Sequence, residues 1–188
     1  MHLKASLILA SGSPRRSELL KAAGFDFDIV LREVHEFVDE DLDPKALAVM
    51  LSEHKGKAYD DLSNDNIIIT ADTIVALRGK ILNKPADRKE AIHMLEMLSG
   101  HTHAVVTGVS IFYKGKFTSF AEETKVKFSK LRPETIEHYV DHYKPFDKAG
   151  GYGIQEWIGM VGISGIEGDY YNVMGFPVHK FYKEMMKF

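Results

Sequence analysis

The chain has 188 residues and no cysteine. That removes disulfide frameworks, cysteine-based metal sites and thiol nucleophiles together, and it fits a reducing compartment. Long apolar runs are missing too. No stretch approaches the length of a membrane span, and the first residues lack the pattern of a secretory signal. Charge of one sign is scarce: 24 Lys and Arg stand against 27 Asp and Glu, a net of −3. A broad face for a nucleic-acid polymer is therefore not expected, and a polyanionic ligand would have to meet a local basic cluster. Also absent are the phosphate loop Gly-x-x-x-x-Gly-Lys-[Ser/Thr], the elbow Gly-x-Ser-x-Gly, the dinucleotide fingerprint Gly-x-Gly-x-x-Gly and the zinc motif His-Glu-x-x-His. With 45% hydrophobic and 27% charged residues, what remains is a cytoplasmic globular protein, one domain without membrane contact.

What is present centres on residues 7–20. Leu7-Ile8-Leu9-Ala10 reads as a buried strand, Ser11-Gly12-Ser13 as a tight connection, and Pro14 as the first residue of a helix ending near Gly24. Ser13 suits the cap. Arg15 and Arg16 fall in the first helical turn, where the helix dipole disfavours cations by a few tenths of a kcal/mol or more. An anion opposite them would offset that, so strand, small-residue loop and paired arginines together describe a phosphate site. Solvation of two surface arginines is the plainer alternative.

Residues 27–31 read as a second strand, followed by Val34-His35-Glu36 and an acidic run over 39–43 that reads as solvated loop. Asp43-Pro44 opens a helix to about Tyr59, with Lys55 and Lys57 in its last turn, where the dipole alone would explain them. Residues 67–71 form the strongest strand in the sequence. Asp72 is expected at its end, where open α/β sheets put ligand chemistry, although an aspartate there can also cap a turn. A short strand over 74–77 and a hairpin through Arg78-Gly79 lead to Asn83-Lys84-Pro85.

Asp87-x-x-Glu90 is a capping box before a helix with Ala91, Met94, Leu95 and Leu98 on one face. Residues 101–113 and 116–128 form a hairpin, with His101 and His103 on one strand face as a candidate metal pair lacking a third ligand. Pro133 opens another helix. The glycine-rich residues 147–155 read as irregular, either a flexible turn or a place where backbone approaches a ligand, with Gln155 able to donate and accept. Residues 158–163 read as a final strand, 165–175 as a loose loop, and Pro177 as the start of the last helix. The order of elements predicts an α/β protein with a mixed sheet and flanking helices.

Ser-Gly-Ser-Pro-Arg-Arg-x-Glu-Leu-Leu directly after an N-terminal strand resembles the signature of the Maf family of nucleoside triphosphate pyrophosphatases. Ala71-Asp72-Thr73-Ile74-Val75, residues 79–85, Met94-Leu95-x-x-Leu98-Ser99-Gly100, Asp147-Lys148-Ala149-Gly150 and residues 172–177 look like further motifs of that family, in family order. The resemblance implies an elongated sheet, two lobes around a cleft as in the related inosine triphosphate pyrophosphatases, and often a homodimer. It implies hydrolysis of a nucleoside triphosphate between the α and β phosphates with a divalent metal, Mg²⁺ or Mn²⁺.

Carried onto this chain, Asp72 matches the proton acceptor, while Arg15, Arg16, Lys55 and Lys84 match phosphate ligands. Ser11 and Glu36 match site-lining positions, with Glu36 and Asp72 as metal ligands. Thr73 and Gly153-Ile154-Gln155 are similar to the branch acting on dTTP and UTP, so Arg15, Thr73 and Gln155 are the expected specificity positions. His35 stands where the family has an aspartate, Asn83 where it has a glycine, and Asp169 where it has a serine. A nucleotide-binding regulator of cell division is the alternative reading, and a relative of the inosine triphosphate pyrophosphatases is a third.

Overall fold

A computed structural model describes residues 5–34 and 42–188. Two compact units divide the chain. One comprises residues 1–73, 107–122 and 175–188; the other comprises 74–106 and 123–174. Among the described residues the elements form a mixed α/β fold around a seven-stranded sheet. Its strand order is β2 (Asp28–Ile29), β1 (Ser6–Leu9), β3 (Asn66–Leu77), β5 (Thr102–Tyr113), β6 (Lys116–Phe128), β7 (Ile163–Glu167), and β4 (Lys80–Leu82) pairs with β3.

In the first unit, β1 (Ser6–Leu9) lies parallel to both β2 (Asp28–Ile29) and β3 (Asn66–Leu77). Each parallel connection carries a helix, α1 (Pro14–Ala22) and α2 (Pro44–Lys57), because parallel strands need a crossover. Asp43 caps α2 by accepting from the Lys45 N–H at 2.9 Å. Ala48, Ser52 and Gly56 recur every four residues along α2 and are buried. This small-residue face lets the helix lie very close to the sheet. A Cβ at Gly108 would come within 2.2 Å of the Ala48 backbone, so only glycine fits there. The Ser52 and Ser110 hydroxyls meet at 2.6 Å, and the Thr70 hydroxyl donates to the Ser52 carbonyl at 2.7 Å. The last helix, α7 (Val178–Met185), closes this unit by burying Phe181 among Phe25 and Phe176. Tyr182, the next residue along α7, is exposed.

The second unit is built on α3 (Arg88–Leu98) and α4 (Pro133–Tyr143). Ala91, Met94, Leu95 and Leu98 pack with Ile136, Tyr139, Val140, Tyr152 and Ile158 in one core. Strands β5 (Thr102–Tyr113) and β6 (Lys116–Phe128) form the expected hairpin. Asp87 accepts from the Glu90 N–H at 2.9 Å, but Glu90 accepts from Ala86 rather than Asp87, so the capping box is one-sided.

Three readings of the sequence need correction. Residues 158–163 are mostly helical: α5 spans Trp157–Gly162, and the strand β7 follows at Ile163–Glu167. A short apolar run has no period that separates strand from helix. Residues 165–175 are not a loose loop, since they hold the rest of β7 and a short helix, α6 (Tyr170–Met174). Finally, β3 does not stop before Asp72 but runs unbroken to Leu77. The polar side chains of Asp72 and Thr73 find partners on either side of the strand, so nothing forces the ladder to end there.

Candidate active site

In the first unit the chain leaves β1 with the Ala10 N–H donating to the Ile69 carbonyl at 2.9 Å. It turns through residues 11–13 into α1. Ser13 occupies the cap position and Pro14 the first helical position, as the sequence predicts, yet the Ser13 hydroxyl makes no cap bond. Ser11 is the busier serine. Its Oγ accepts from the Ser13 N–H at 3.3 Å and from Arg16 at 3.1 Å. Two acceptor positions are thereby filled, and the Ser11 O–H can still donate to an anion.

Successive side chains on a strand face opposite ways, and β3 uses both faces. Thr70 and Asp72 face α2, where Thr70 meets Ser52 and the Asp72 carboxylate forms an ion pair with the Lys55 ammonium. These two charged side chains are 15% and 17% exposed, so the pair is largely withdrawn from solvent but still reachable. Lys55 owes its reach to the tight seating of α2. Thr73 faces the other way. Its hydroxyl accepts from Arg16 at 3.2 Å, lies 3.0 Å from the Thr107 hydroxyl, and is 3.5 Å from the Gly175 carbonyl. Arg16 also donates to the carbonyls of Ala71 at 2.8 Å and Gly175 at 3.0 Å. Arg15 is half-buried in the same turn of α1. The structure thus gathers Ser11, Arg15, Arg16, Lys55, Asp72 and Thr73 within one unit. Glu36 and His35 lie outside the described residues.

Lys84 and Gln155 belong to the second unit, and both are exposed. The backbone beneath them is firmly held. The Asn83 carbonyl accepts from the Gly150 N–H at 3.1 Å, so the residue replacing a family glycine is fixed through its backbone. Gly150 has φ +71°, and a Cβ there would press within 3.0 Å of Val75. The glycine-rich segment is therefore a fitted turn rather than a flexible one.

Around it lies a network the sequence did not reveal. Lys148 pairs with Asp147 at 2.7 Å and with Glu156 at 3.1 Å. Glu156 accepts from the Tyr139 hydroxyl, which accepts from the Gly153 N–H at 2.9 Å. Burial, reinforced by the Glu156 carboxylate, holds the Tyr139 phenol far above its ordinary range, so it stays protonated. Gln155 sits between Gly153 and Glu156, both anchored by this network. The only advance signal was the motif Asp147-Lys148-Ala149-Gly150, to which no role had been attached.

Two other expectations resolve here. His103 is a core residue: its Nε2 lies 2.7 Å from the Tyr152 hydroxyl, and its ring stacks on Phe128. His101 precedes the strand, with its Nδ1 3.1 Å from the Met97 carbonyl. Asp169 caps α6 by accepting from the Tyr171 N–H at 2.8 Å, which accounts for a carboxylate at that position.

Among the described residues no group of three or more His, Asp or Glu side chains could cage a metal. A single carboxylate such as Asp72, completed by phosphate oxygens and water, still suits Mg²⁺, which prefers one or two protein carboxylates.

A profile of the family described as Maf-like protein matches residues 6–188. The chain belongs to the Maf-like family. A dTTP/UTP pyrophosphatase from Parabacteroides distasonis is 46% identical over 187 residues, covering 98% of this chain and 97% of the relative. One from Porphyromonas gingivalis is 43% identical, covering 98% and 95%, and one from Cytophaga hutchinsonii is 48% identical, covering 96% and 83%. The solved structure of a HAM1 protein from Coxiella burnetii aligns with TM-score 0.43 and 10% identity over 68% of this chain and 74% of that one, too slight a likeness to build on. Among the described residues, no helix of this Maf-like protein is long and apolar enough to cross a membrane.

Proposed function

We propose that this chain is a nucleoside triphosphate pyrophosphatase that hydrolyses dTTP and UTP between the α and β phosphates. The observation that carries this reading is the Asp72–Lys55 pair, a shielded carboxylate already aimed by a cation, in a chain 46% identical to a dTTP/UTP pyrophosphatase. Asp72 takes a proton from the attacking water. The water oxygen bonds to the α-phosphorus, and the bond to the bridging oxygen breaks, releasing the monophosphate and pyrophosphate. Phosphoryl transfer depends on positioning and on neutralising the non-bridging oxygens. Lys55, Arg15 and Lys84 supply that charge, and the Ser11 O–H donates alongside them. Asp72 and Glu36 would hold a divalent cation, Mg²⁺ or Mn²⁺, which supplies further charge neutralisation on the phosphates.

Base choice falls to Arg15, Thr73 and Gln155. A glutamine amide can accept from N3–H and donate to O4 of thymine or uracil, whereas cytosine presents the reversed pattern. A cytoplasmic location and a homodimer complete the proposal. A regulator that only binds nucleotide would have no use for a general base, so the shielded Asp72 favours turnover.

The test is product identity. With Mg²⁺ and a panel of dTTP, UTP, CTP, GTP and ITP, phosphorus NMR is expected to show pyrophosphate and monophosphate, fastest from dTTP and UTP. Orthophosphate and diphosphate as the products would overturn the site of cleavage. Fastest turnover of ITP would move the chain to the damaged-purine class.

A further inference from the structure

The resemblance counts Arg16 among the phosphate ligands, but its surroundings describe another task. Strand β1 ends at Leu9, opposite Ile69. The β1–β3 ladder closes with the Ala10 N–H on the Ile69 carbonyl at 2.9 Å. The next β3 carbonyl on that edge, two residues on, belongs to Ala71 and has no strand opposite it. Arg16 donates to it at 2.8 Å, so a guanidinium N–H continues the ladder where backbone N–H groups have run out. The remaining bonds run to Ser11 Oγ at 3.1 Å, Thr73 Oγ1 at 3.2 Å and the Gly175 carbonyl at 3.0 Å. Four of the five guanidinium N–H groups are thus directed at protein oxygens, and a planar fork in that arrangement is fixed in place.

The acceptors bracket Asp72. The Ala71 carbonyl belongs to the peptide unit that carries the Asp72 nitrogen, and Thr73 is its other neighbour. Arg16 also approaches from the Thr73 side of the strand, whereas the Asp72 carboxylate points to the α2 side, towards Lys55. We propose that Arg16 is a positioning residue: its guanidinium extends the β1–β3 ladder to lock the Ala71–Asp72 peptide and so aims the Asp72 carboxylate, without ligating the triphosphate. This rests on the reading of Asp72 as the base.

A double-mutant cycle tests it, with Arg16→Lys made in the parent and in Asp72→Asn, and thermal melts confirming the folded fraction. Lysine keeps the charge but cannot reproduce the fork. Arg16→Lys is expected to lower kcat for dTTP about tenfold or more in the parent, and less than about twofold in the residual turnover of Asp72→Asn. Calorimetric dTTP affinity in the Asp72→Asn background should stay within about twofold. Equal losses of kcat in both backgrounds would overturn action through Asp72, and a tenfold loss of dTTP affinity would return Arg16 to the phosphate ligands. Arg16→Gln, read the same way, serves if the lysine variant does not fold. The affinity measurement judges Arg16 even if the parent enzyme fails to hydrolyse dTTP, a failure that would fall on the proposed function instead.

Discussion

The two units treat their proposed functional side chains in opposite ways. In the first, the chemistry-bearing groups are held by protein partners: Asp72 by Lys55, Arg16 by four oxygens, Thr73 by Arg16 and Thr107. In the second, Lys84 and Gln155 stand exposed, and the rigidity lies in the backbone below them, through Gly150 on Asn83 and Tyr139 on Gly153. A general base must be aimed before the substrate arrives, because a small error in direction is multiplied in the rate. A lysine that meets a phosphate can adjust on contact. The cores differ as well. The first unit packs Ile8, Ile68, Tyr59 and Phe112, while the second encloses a histidine.

That histidine offers the largest effect by which to separate the units. Burial lowers the His103 pKa from 6.5 to about 4, and its Nδ1 has no hydrogen-bond partner among the described residues. The folded state therefore resists a proton that the unfolded chain accepts. Its stability is intact above pH 6.5 and falls as the pH drops from 6.5 to 4, by about 3 kcal/mol in all. Hydrogen exchange at pH 5 should show amides around Phe128 and Tyr152 losing protection before those of β1 and α2, and His103→Gln should flatten the difference. Equal loss in both units would dissolve this contrast.

A smaller effect sharpens the distinction between held and exposed groups. Lys84→Ala should raise KM for dTTP about 10- to 100-fold, the value of one charge-assisted contact, and leave the melting temperature unchanged. A melting temperature lowered by several degrees would show that Lys84 is part of the framework after all.

Much of this was legible in the sequence, for local reasons. Pro14 and Pro44 mark their helices because proline suits a first turn, and α3 shows its buried face in the spacing of Ala91, Met94, Leu95 and Leu98. Residues 158–163 misled because six apolar and glycine residues fit either a strand or a helical turn. Asp72 looked like a strand end because a charged residue in a buried strand is costly unless paired, and its partner Lys55 is seventeen positions away. Arg16 could be placed at a helix start, but its acceptors at Ala71 and Gly175 come from distant segments that only the fold assembles. The Lys148–Glu156–Tyr139 network was hidden for the same reason.

The most direct test of Asp72 as the aimed base measures turnover and nucleotide binding on one preparation of Asp72→Asn. Asparagine keeps the size of the side chain and can still accept from Lys55, but it cannot take the proton from water. Turnover of dTTP with Mg²⁺ should fall about 10²- to 10⁴-fold, while dTTP affinity measured without divalent metal stays within a few-fold of the parent. If affinity and turnover fall together, Asp72 supports the fold or the substrate rather than the attacking water, and the central claim is wrong.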